Sequence, residues 1–485
     1  MALADTQYGP VLGTDSLVFK GIPYAAPPVG PDRFRPPRPP RPWSAPLKAT
    51  SYGPTAPQTG AAGPLAELVP RAIVPGDNYL NLNVWSPDLD GNAPVMVFVH
   101  GGSFTSGAGA LPVYDGSRFA RDGVVLVTIN YRLGADGFLW FGDGSPNLGL
   151  LDQIAALTWV RDNIAAFGGD PGNVTIFGES AGAMSVCTLL AMPAAAGLFH
   201  RAIAESGAAN NTIDAATARL VGERLAAMLG TAPTREAIAQ VPLQRLLTAQ
   251  DQLSQQVMGK ARAKAWGDVA RTLLPFSPVE DGSLLPAAPL DRIRAGAGAD
   301  VDLMVGTNSD EARLFLIPTG VAAKISTPLL YAAARTRFGL SMNGVRRYRA
   351  NRPDATPGEV LAAIMTDSYY RIPAIRLAEA HPGTYLYEFG WRSPACNGTL
   401  GACHAIELAF VFDNLDDPST APMLGARPPQ HLADLVHQAW IDFAKTGDPG
   451  WPAYTRPERL SRHFASASGI TTNDRPDERI AWRHR

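Results

Sequence analysis

Cysteine is scarce. The 485 residues hold three, Cys187, Cys396 and Cys403. So odd and sparse a set builds no disulfide framework, leaves at most a single Cys396–Cys403 bridge, and fits a reducing compartment. Neither charge is in excess: Lys plus Arg number 42 and Asp plus Glu 44, a formal net charge of -2. Nucleic acid and anionic membrane surfaces both demand a basic face, so neither is expected as a partner. No apolar run approaches the ~18 residues of a membrane span. The residues from Met1 to Tyr8 lack a basic stretch followed by an apolar core. No signal peptide is read there, and the expected setting is the cytoplasm, with the protein acting as a monomer. No internal repeat and no Ser-, Gly- or charge-rich linker cuts the chain.

What is present is globular. Hydrophobic residues make up 46% and charged residues 18%, enough for a large core without metal or disulfide staples. Gly (47) and Pro (43) are abundant, together above the usual ~12%. They follow no collagen period, so they read as tight turns and long loops. Proline pairs at 27–28, 36–37 and 39–40 forbid regular helix in the first 60 residues, predicting a loop-dominated collar with short strands. Residues 80–85 alternate Leu-Asn-Leu-Asn-Val-Trp, the period of a half-exposed strand. Runs at 95–99, 124–129 and 174–177 are continuously apolar or β-branched, as in parallel strands buried on both faces. Shorter strands are read at 202–204 and 303–305. Ile154, Leu157, Val160 and Ile164 recur at helical spacing, and 181–192 reads as a second helix. The alternation predicts an α/β class with a large, mostly parallel sheet and helices on both faces. Residues 213–265 and 322–380, rich in Ala, Leu and Arg, read as helical insertions covering the sheet of one domain spanning 1–485. The Ala/Gly run at 293–300 reads as a helix end.

Gly178-Glu179-Ser180-Ala181-Gly182 is a G-x-S-x-G between a predicted strand and a predicted helix. That context is the one a nucleophile elbow requires: small flanking residues let a sharp turn lift the Ser180 oxygen clear of the sheet at a helix N-terminus. His100-Gly101-Gly102-Ser103-Phe104 directly follows the run at 95–99. Its glycines free backbone N–H groups which, with the N–H of Ala181, would form an oxyanion hole. His100 itself reads as a loop-ordering residue.

An acid and a base must follow in the order Ser, Asp/Glu, His. Of eight histidines, His100 precedes the serine, His200 follows it too closely, and His484 lies in a charged tail. His381, His431, His437 and His463 stand in polar surroundings and read as solvent-facing. His404 sits in a turn leading into an apolar segment. His404 with Glu407 could be half a metal site, but no second cluster of ligands supports it. For the acid, Asp310 and Glu311 both follow a predicted strand, and composition does not choose between them; Asp281 is a third, in a segment that reads as a turn.

With these residues in place the chain resembles the type B carboxylesterases, the family of bacterial para-nitrobenzyl esterases and animal cholinesterases. The likeness begins at Phe19-Lys-Gly21-Ile-Pro-Tyr24 and runs through Asn130-Tyr-Arg-Leu-Gly134, Asn147-Leu-Gly-Leu-Leu-Asp152 and Phe167-Gly-Gly-Asp-Pro171. It ends at Thr446-Gly-Asp-Pro449, so it covers nearly the whole chain.

The resemblance implies an α/β-hydrolase fold and a triad of Ser180, Glu311 and His404, since the family's G-x-N-x-D-E motif makes the glutamate the acid and its G-x-x-H-x-x-E motif supplies the base. It implies oxyanion donors at Gly102, Ser103 and Ala181. The family usually has Gly or Ala at the position of Ser103; only the N–H is needed, so the hole is kept and a hydroxyl now lines it. Ser206 matches a serine near the triad acid, and Glu179 and Glu407 match two carboxylates behind the triad. Arg33 with Asp77, and Arg132 with Asp152, match structural ion pairs. Tyr79 stands where many members carry a disulfide cysteine. Ala208, Ala209, Asn210 and Asn211 stand where cholinesterases carry an aromatic residue, which predicts a roomy acyl pocket. Its lining would include Ala209, Asn210, Asn211, Phe104, Leu314 and Phe315. The loop 59–75, with Leu65, Leu68, Val69 and Ile73, would form one rim.

The expected function is hydrolysis of small-molecule carboxylic esters, aliphatic and aromatic, through an acyl-enzyme and with no metal or organic cofactor. The alternatives are an inactive adhesion or scaffold protein on the same fold, and a carbamate or amide hydrolase using the same triad.

Overall fold

The apolar runs become strands in the computed structural model, which describes residues 1–60, 63–260, 263–472 and 475–483. His484, positions 61–62 of the 59–75 loop and positions 261–262 of the first insertion lie outside the described residues. Ten strands carry the main sheet pairings: β1 (Val18–Pro23), β2 (Asn81–Trp85), β3 (Ala93–Val99), β4 (Val125–Ile129), β5 (Gly169–Glu179), β6 (Arg201–Glu205), β7 (Asp302–Asn308), β8 (Tyr385–Phe389), β9 (Leu460–Phe464) and β10 (Gly469–Thr472).

The chain packs as two units. The first comprises Met1–Gly60, Arg71–Ile203 and Ala209–Val301. Its strand order is β6-β5-β3-β4-β2-β1. Strand β3 runs parallel to β4 and β5, and β2 runs antiparallel to β1 and β4. Val97 stands opposite Val127 on one side and Ile176 on the other, all fully buried. That burial explains why these runs are β-branched without alternation.

Strand β2 departs from the predicted half-exposed strand: all five of its residues are buried. Its asparagines are tolerated because each is paired. Asn81 donates to the Pro54 and Asn78 carbonyls at 2.8 and 2.9 Å. Asn83 donates to Thr128 Oγ1 at 2.9 Å and accepts from the Gly21 N–H at 2.9 Å. The proline-rich collar thus supplies partners that alternation alone does not reveal, and buried polar groups with partners cost little. The collar's own short strands, Leu3–Thr6, Gly9–Leu12 and Leu47–Lys48, form a separate three-stranded sheet.

Helices of this unit include α1 (Leu148–Asn163), α2 (Ala181–Ala191), α3 (Ala215–Leu229) and α4 (Leu243–Lys260). The first insertion opens on a two-residue strand, Ile213–Asp214, parallel to Val279–Glu280. Asp214 then caps α3 by accepting from the Thr217 N–H at 2.6 Å. Arg132 and Asp152 form the expected buried pair, bidentate at 2.8 and 2.7 Å. Arg33 does not pair with Asp77. Its guanidinium meets Asp136 at 3.1 Å and the Ala239 and Val241 carbonyls, while Asp77 is exposed. A mostly buried cation needs buried acceptors, and Asp136 is buried where Asp77 is wet.

The second unit comprises Ala61–Pro70, Ala204–Ala208 and Asp302–Arg485. Its strand order is β10-β9-β8-β7-β6, with β7, β8 and β9 parallel and β10 antiparallel to β9. Helices α5 (Thr327–Thr336), α6 (Met342–Ala350), α7 (Pro357–Thr366) and α8 (Ile372–Ala380) make up the second insertion. Their core holds Leu330, Tyr348, Ile364 and Ile372. Between α7 and α8 the residues Asp367–Arg371 form a π-helical turn. Helices α9 (Gln430–Thr446) and α10 (Pro476–Ile480) follow.

Two histidines read as solvent-facing are buried. His437 lies on the inner face of α9 with Nδ1 2.6 Å from the Val411 carbonyl. His381 ends α8 with Nδ1 3.1 Å from Thr384 Oγ1. Local polarity misleads at His437 because a distant backbone carbonyl takes its Nδ1, whereas His381 is met by Thr384, three residues on. Among the described residues no helix is long and apolar enough to cross a membrane.

Candidate active site

Strand β5 ends at Glu179 and α2 begins at Ala181, so Ser180 alone makes the turn, at φ 57° and ψ -122°. An L-residue reaches that region only under strain. The flanking glycines are sterically required. A Cβ on Gly182 would lie 1.9 Å from the Val99 carbonyl oxygen, and one on Gly178 2.5 Å from the same atom. The end of β3 therefore packs backbone against backbone on the elbow.

The loop after β3 comes equally close. A Cβ on Gly101 would stand 2.9 Å from Glu179 Oε2 and 3.0 Å from Ser180 Cβ. Gly102, Ser103 and Phe104 follow with φ of 110°, 55° and 59°, and the Thr105 and Ser106 N–H groups both donate to the Gly102 carbonyl at 3.0 Å. His100 holds this loop. Its Nδ1 lies 2.8 Å from the Gly101 carbonyl, so that nitrogen carries the proton, and its ring stacks on Tyr131 at 4.5 Å. Burial lowers its pKa to about 4, so it stays neutral.

Other predicted residues of this unit are placed as follows. Glu179 is buried at the base of the elbow, and Phe104 is fully buried with its ring 4.9 Å from Phe138. Ala209 is buried, and its carbonyl accepts from the Leu290 N–H at 3.2 Å. Asn211 is buried and donates to Asn210 Oδ1 at 3.1 Å, while Arg271 holds the Asn210 carbonyl at 2.5 Å. Asp281 is a turn residue, accepting from the Leu284 and Leu285 N–H groups.

The second unit holds the acid and the histidine. Strand β7 ends at Asn308, and the turn after it sends two adjacent acids in different directions. Glu311 is fully buried: Oε2 lies 2.6 Å from His404 Nδ1, and Oε1 accepts from the Asn308 N–H at 2.8 Å. Asp310 instead meets Arg313 at 3.1 Å and Arg392 at 2.9 Å, and accepts from the Ala402 N–H. The His404 N–H also donates to the Glu311 carbonyl at 3.2 Å. With Nδ1–H held by the carboxylate, His404 presents Nε2 as its basic nitrogen.

Glu407 lies three residues beyond His404, across a turn in which Ala405 has φ 65°, and is buried. It accepts from Ser206 Oγ at 3.2 Å and from Asn308 Nδ2. Burial first, and then the negative charge of Glu311, push its carboxyl up to about 7. Ser206, at φ 52°, thus bonds Glu407 rather than Glu311. Among the described residues no group of three or more His, Cys, Asp or Glu is placed to hold a metal ion. Cys403 is buried, Cys396 exposed and both thiols are free, so the bridge left open by the sequence does not form.

Phe315 and buried Leu314 lie on the short helix Arg313–Leu316, and the Phe315 ring is 5.3 Å from that of His404. Sequence reasoning missed two residues. Asn308 donates to both Glu407 and the Cys403 carbonyl, tying β7 to the histidine turn. Tyr370, in the π-helical turn, sets its ring 5.0 Å from that of His404. Asn308 had a signal in its place within G-x-N-x-D-E; Tyr370, inside a helical insertion, had none. In the 59–75 loop, Val69 and Ile73 are exposed.

Comparison with known proteins gives the family. The family model described as the carboxylesterase family matches residues 2–463. The para-nitrobenzyl esterase of Bacillus subtilis (strain 168) is 40% identical over 501 residues, covering 98% of this chain and 97% of that protein. The phenmedipham hydrolase of Pseudarthrobacter oxydans is 36% identical, covering 90% and 89%. Among solved structures, the Geobacillus stearothermophilus carboxylesterase at pH 6.2 superposes with a TM-score of 0.87 at 37% identity, covering 100% of both chains. The chain is therefore an α/β hydrolase of the carboxylesterase family, a carboxylic ester hydrolase.

Proposed function

We propose that Ser180, His404 and Glu311 are the catalytic triad of a serine esterase. The observation that carries this reading is the 2.6 Å contact of Glu311 Oε2 with His404 Nδ1. It comes from the one acid, of two adjacent, that turns away from surface arginines. The strained elbow at Ser180 supports it. His404 Nε2 takes the proton as Ser180 Oγ bonds to the ester carbonyl carbon. The carbonyl π electrons move to oxygen, and the N–H groups of Gly102, Ser103 and Ala181 hold the resulting oxyanion. The C–O bond to the leaving alcohol then breaks, and His404 returns the proton to that oxygen. Water, deprotonated by His404, attacks the acyl-enzyme and releases the acid and free Ser180. Glu311 keeps the imidazole in its productive tautomer and stabilises its cationic form.

The substrates are small esters, short aliphatic and aromatic. Small residues at 208 and 209 leave space on the acyl side, and the Bacillus relative is named for a para-nitrobenzyl ester activity. The test is labelling with a serine-directed organophosphate. One adduct is expected, on the peptide holding Ser180, and Ser180→Ala loses roughly 10⁶-fold in kcat while keeping its melting temperature. An adduct elsewhere, or activity within about tenfold of wild type in that variant, overturns the assignment.

A further inference from the structure

The family match stops at residue 463, yet the chain beyond it packs on the helical insertion that carries Tyr370. The π-helical turn Asp367–Arg371 has a local cause. Pro373 cannot donate to the carbonyl four residues back, and its ring would clash there. The helix widens instead, and the Ile372 N–H donates to the Asp367 carbonyl five residues back. Such turns are rare and lean on outside contacts.

Here the contacts come from side chains. Asp367, fully buried, takes both arms of Arg371 at 2.6 Å and the hydroxyl of Tyr348. The Tyr348 hydroxyl in turn accepts from Trp482 Nε1 at 2.8 Å. The Trp482 carbonyl accepts from Arg376 of α8 at 2.8 Å. Trp482 therefore ties α6 on one side of the turn to α8 on the other, and it closes the helical core. Four residues earlier, fully buried Glu478 pairs with Arg352 and accepts from Asn351 Nδ2 at 2.9 Å. The Arg352 guanidinium lies over the Tyr348 ring at 5.5 Å.

We propose that the C-terminal segment is a positioning strap. Glu478 and Trp482 fix the π-helical turn and, through it, the Tyr370 ring that lies against His404. The inference rests on the reading of His404 as the catalytic base. An imidazole in contact with Tyr370 and Phe315 has its ring orientation set by those walls. Misplacing a catalytic group by ~1 Å costs on the order of 10²-fold.

Trp482→Phe keeps an aromatic ring and removes the N–H that Tyr348 accepts. Tyr348→Phe breaks the same link from its other end. Each is compared with wild type using 4-nitrophenyl acetate, with rates normalised by organophosphate titration so that unfolded protein is not counted. Both are expected to lower kcat about tenfold, to slow phosphonylation of Ser180 in parallel, and to leave KM within about twofold. Glu478→Gln, which keeps shape and loses charge, is the milder variant should the others not fold; the same split is expected. A lowered melting temperature with kcat per titrated site within about twofold of wild type would show a merely structural role and overturn the proposal. His404→Gln separates the two readings. If it retains activity, the assignment of the base falls and the strap with it. If it is inactive while the strap variants keep wild-type kcat, the strap alone falls.

Discussion

His404 Nδ1 meets Glu311 Oε2 at 2.6 Å, while Asp310, the neighbouring acid, is spent on Arg313 and Arg392. Two carboxylates adjacent in the chain thus do different work. Glu311→Gln keeps the shape, removes the charge that stabilises imidazolium and permits the wrong tautomer. A loss near ~10⁴-fold in kcat is expected, by analogy with such a swap in another triad. Asp310→Asn should lose stability rather than rate, because it loosens a partly buried ion-pair network. Steady-state kinetics on both variants decide it, and the reverse ranking would reject the acid assignment.

The elbow tolerates no side chain at Gly182, where a Cβ would meet the Val99 carbonyl at 1.9 Å. That contact is backbone on backbone and cannot yield without moving β3. Gly182→Ala should therefore cost at least the ~1–3 kcal/mol of an overpacked core. Gly469→Ala, in strand β10 with nothing within 4 Å of its Cβ, should stay within about 0.5 kcal/mol. Equal denaturant midpoints for the two variants would show that the elbow relaxes.

Glu407, raised to about 7 in the folded protein, sits above its usual ~4.3. Between those values the folded state binds the extra proton, so its contribution to stability is complete below ~4.3 and is lost as pH rises through 7. Glu407→Gln cannot titrate. Its melting temperature relative to wild type should climb from pH 5 to about pH 7 and level off by pH 8. Parallel curves across that range would mean Glu407 ionises normally.

On the proposed reading, with Ala208 and Ala209 on the acyl side, the site should admit an aromatic acid. The kcat/KM for 4-nitrophenyl benzoate is expected within about a hundredfold of the values for the acetate and butyrate. A benzoate value further below both would mean a closed pocket.

The sequence by itself determined the features that depend on neighbours in the chain. Continuous β-branched runs became β3, β4 and β5, since parallel strands must be apolar on both faces. The elbow at Ser180 and the glycine loop after His100 were readable as motifs next to apolar runs, although Gly178 and Gly182 are demanded by a close approach to the Val99 carbonyl rather than by their own φ values. Tertiary structure decided the partners. Glu311 and His404 are 93 residues apart, and nothing local tells which of two adjacent acids points inward. Arg33 chose Asp136 over Asp77, β2 buried its asparagines, and His437 went inside, all for one reason. A buried polar group is placed by whichever distant backbone or side chain can satisfy it, and that partner exists only once the chain has folded. Tyr370 reached His404 in the same way, carried by a helical turn that Pro373 widened and that Trp482, far along the chain, holds in place.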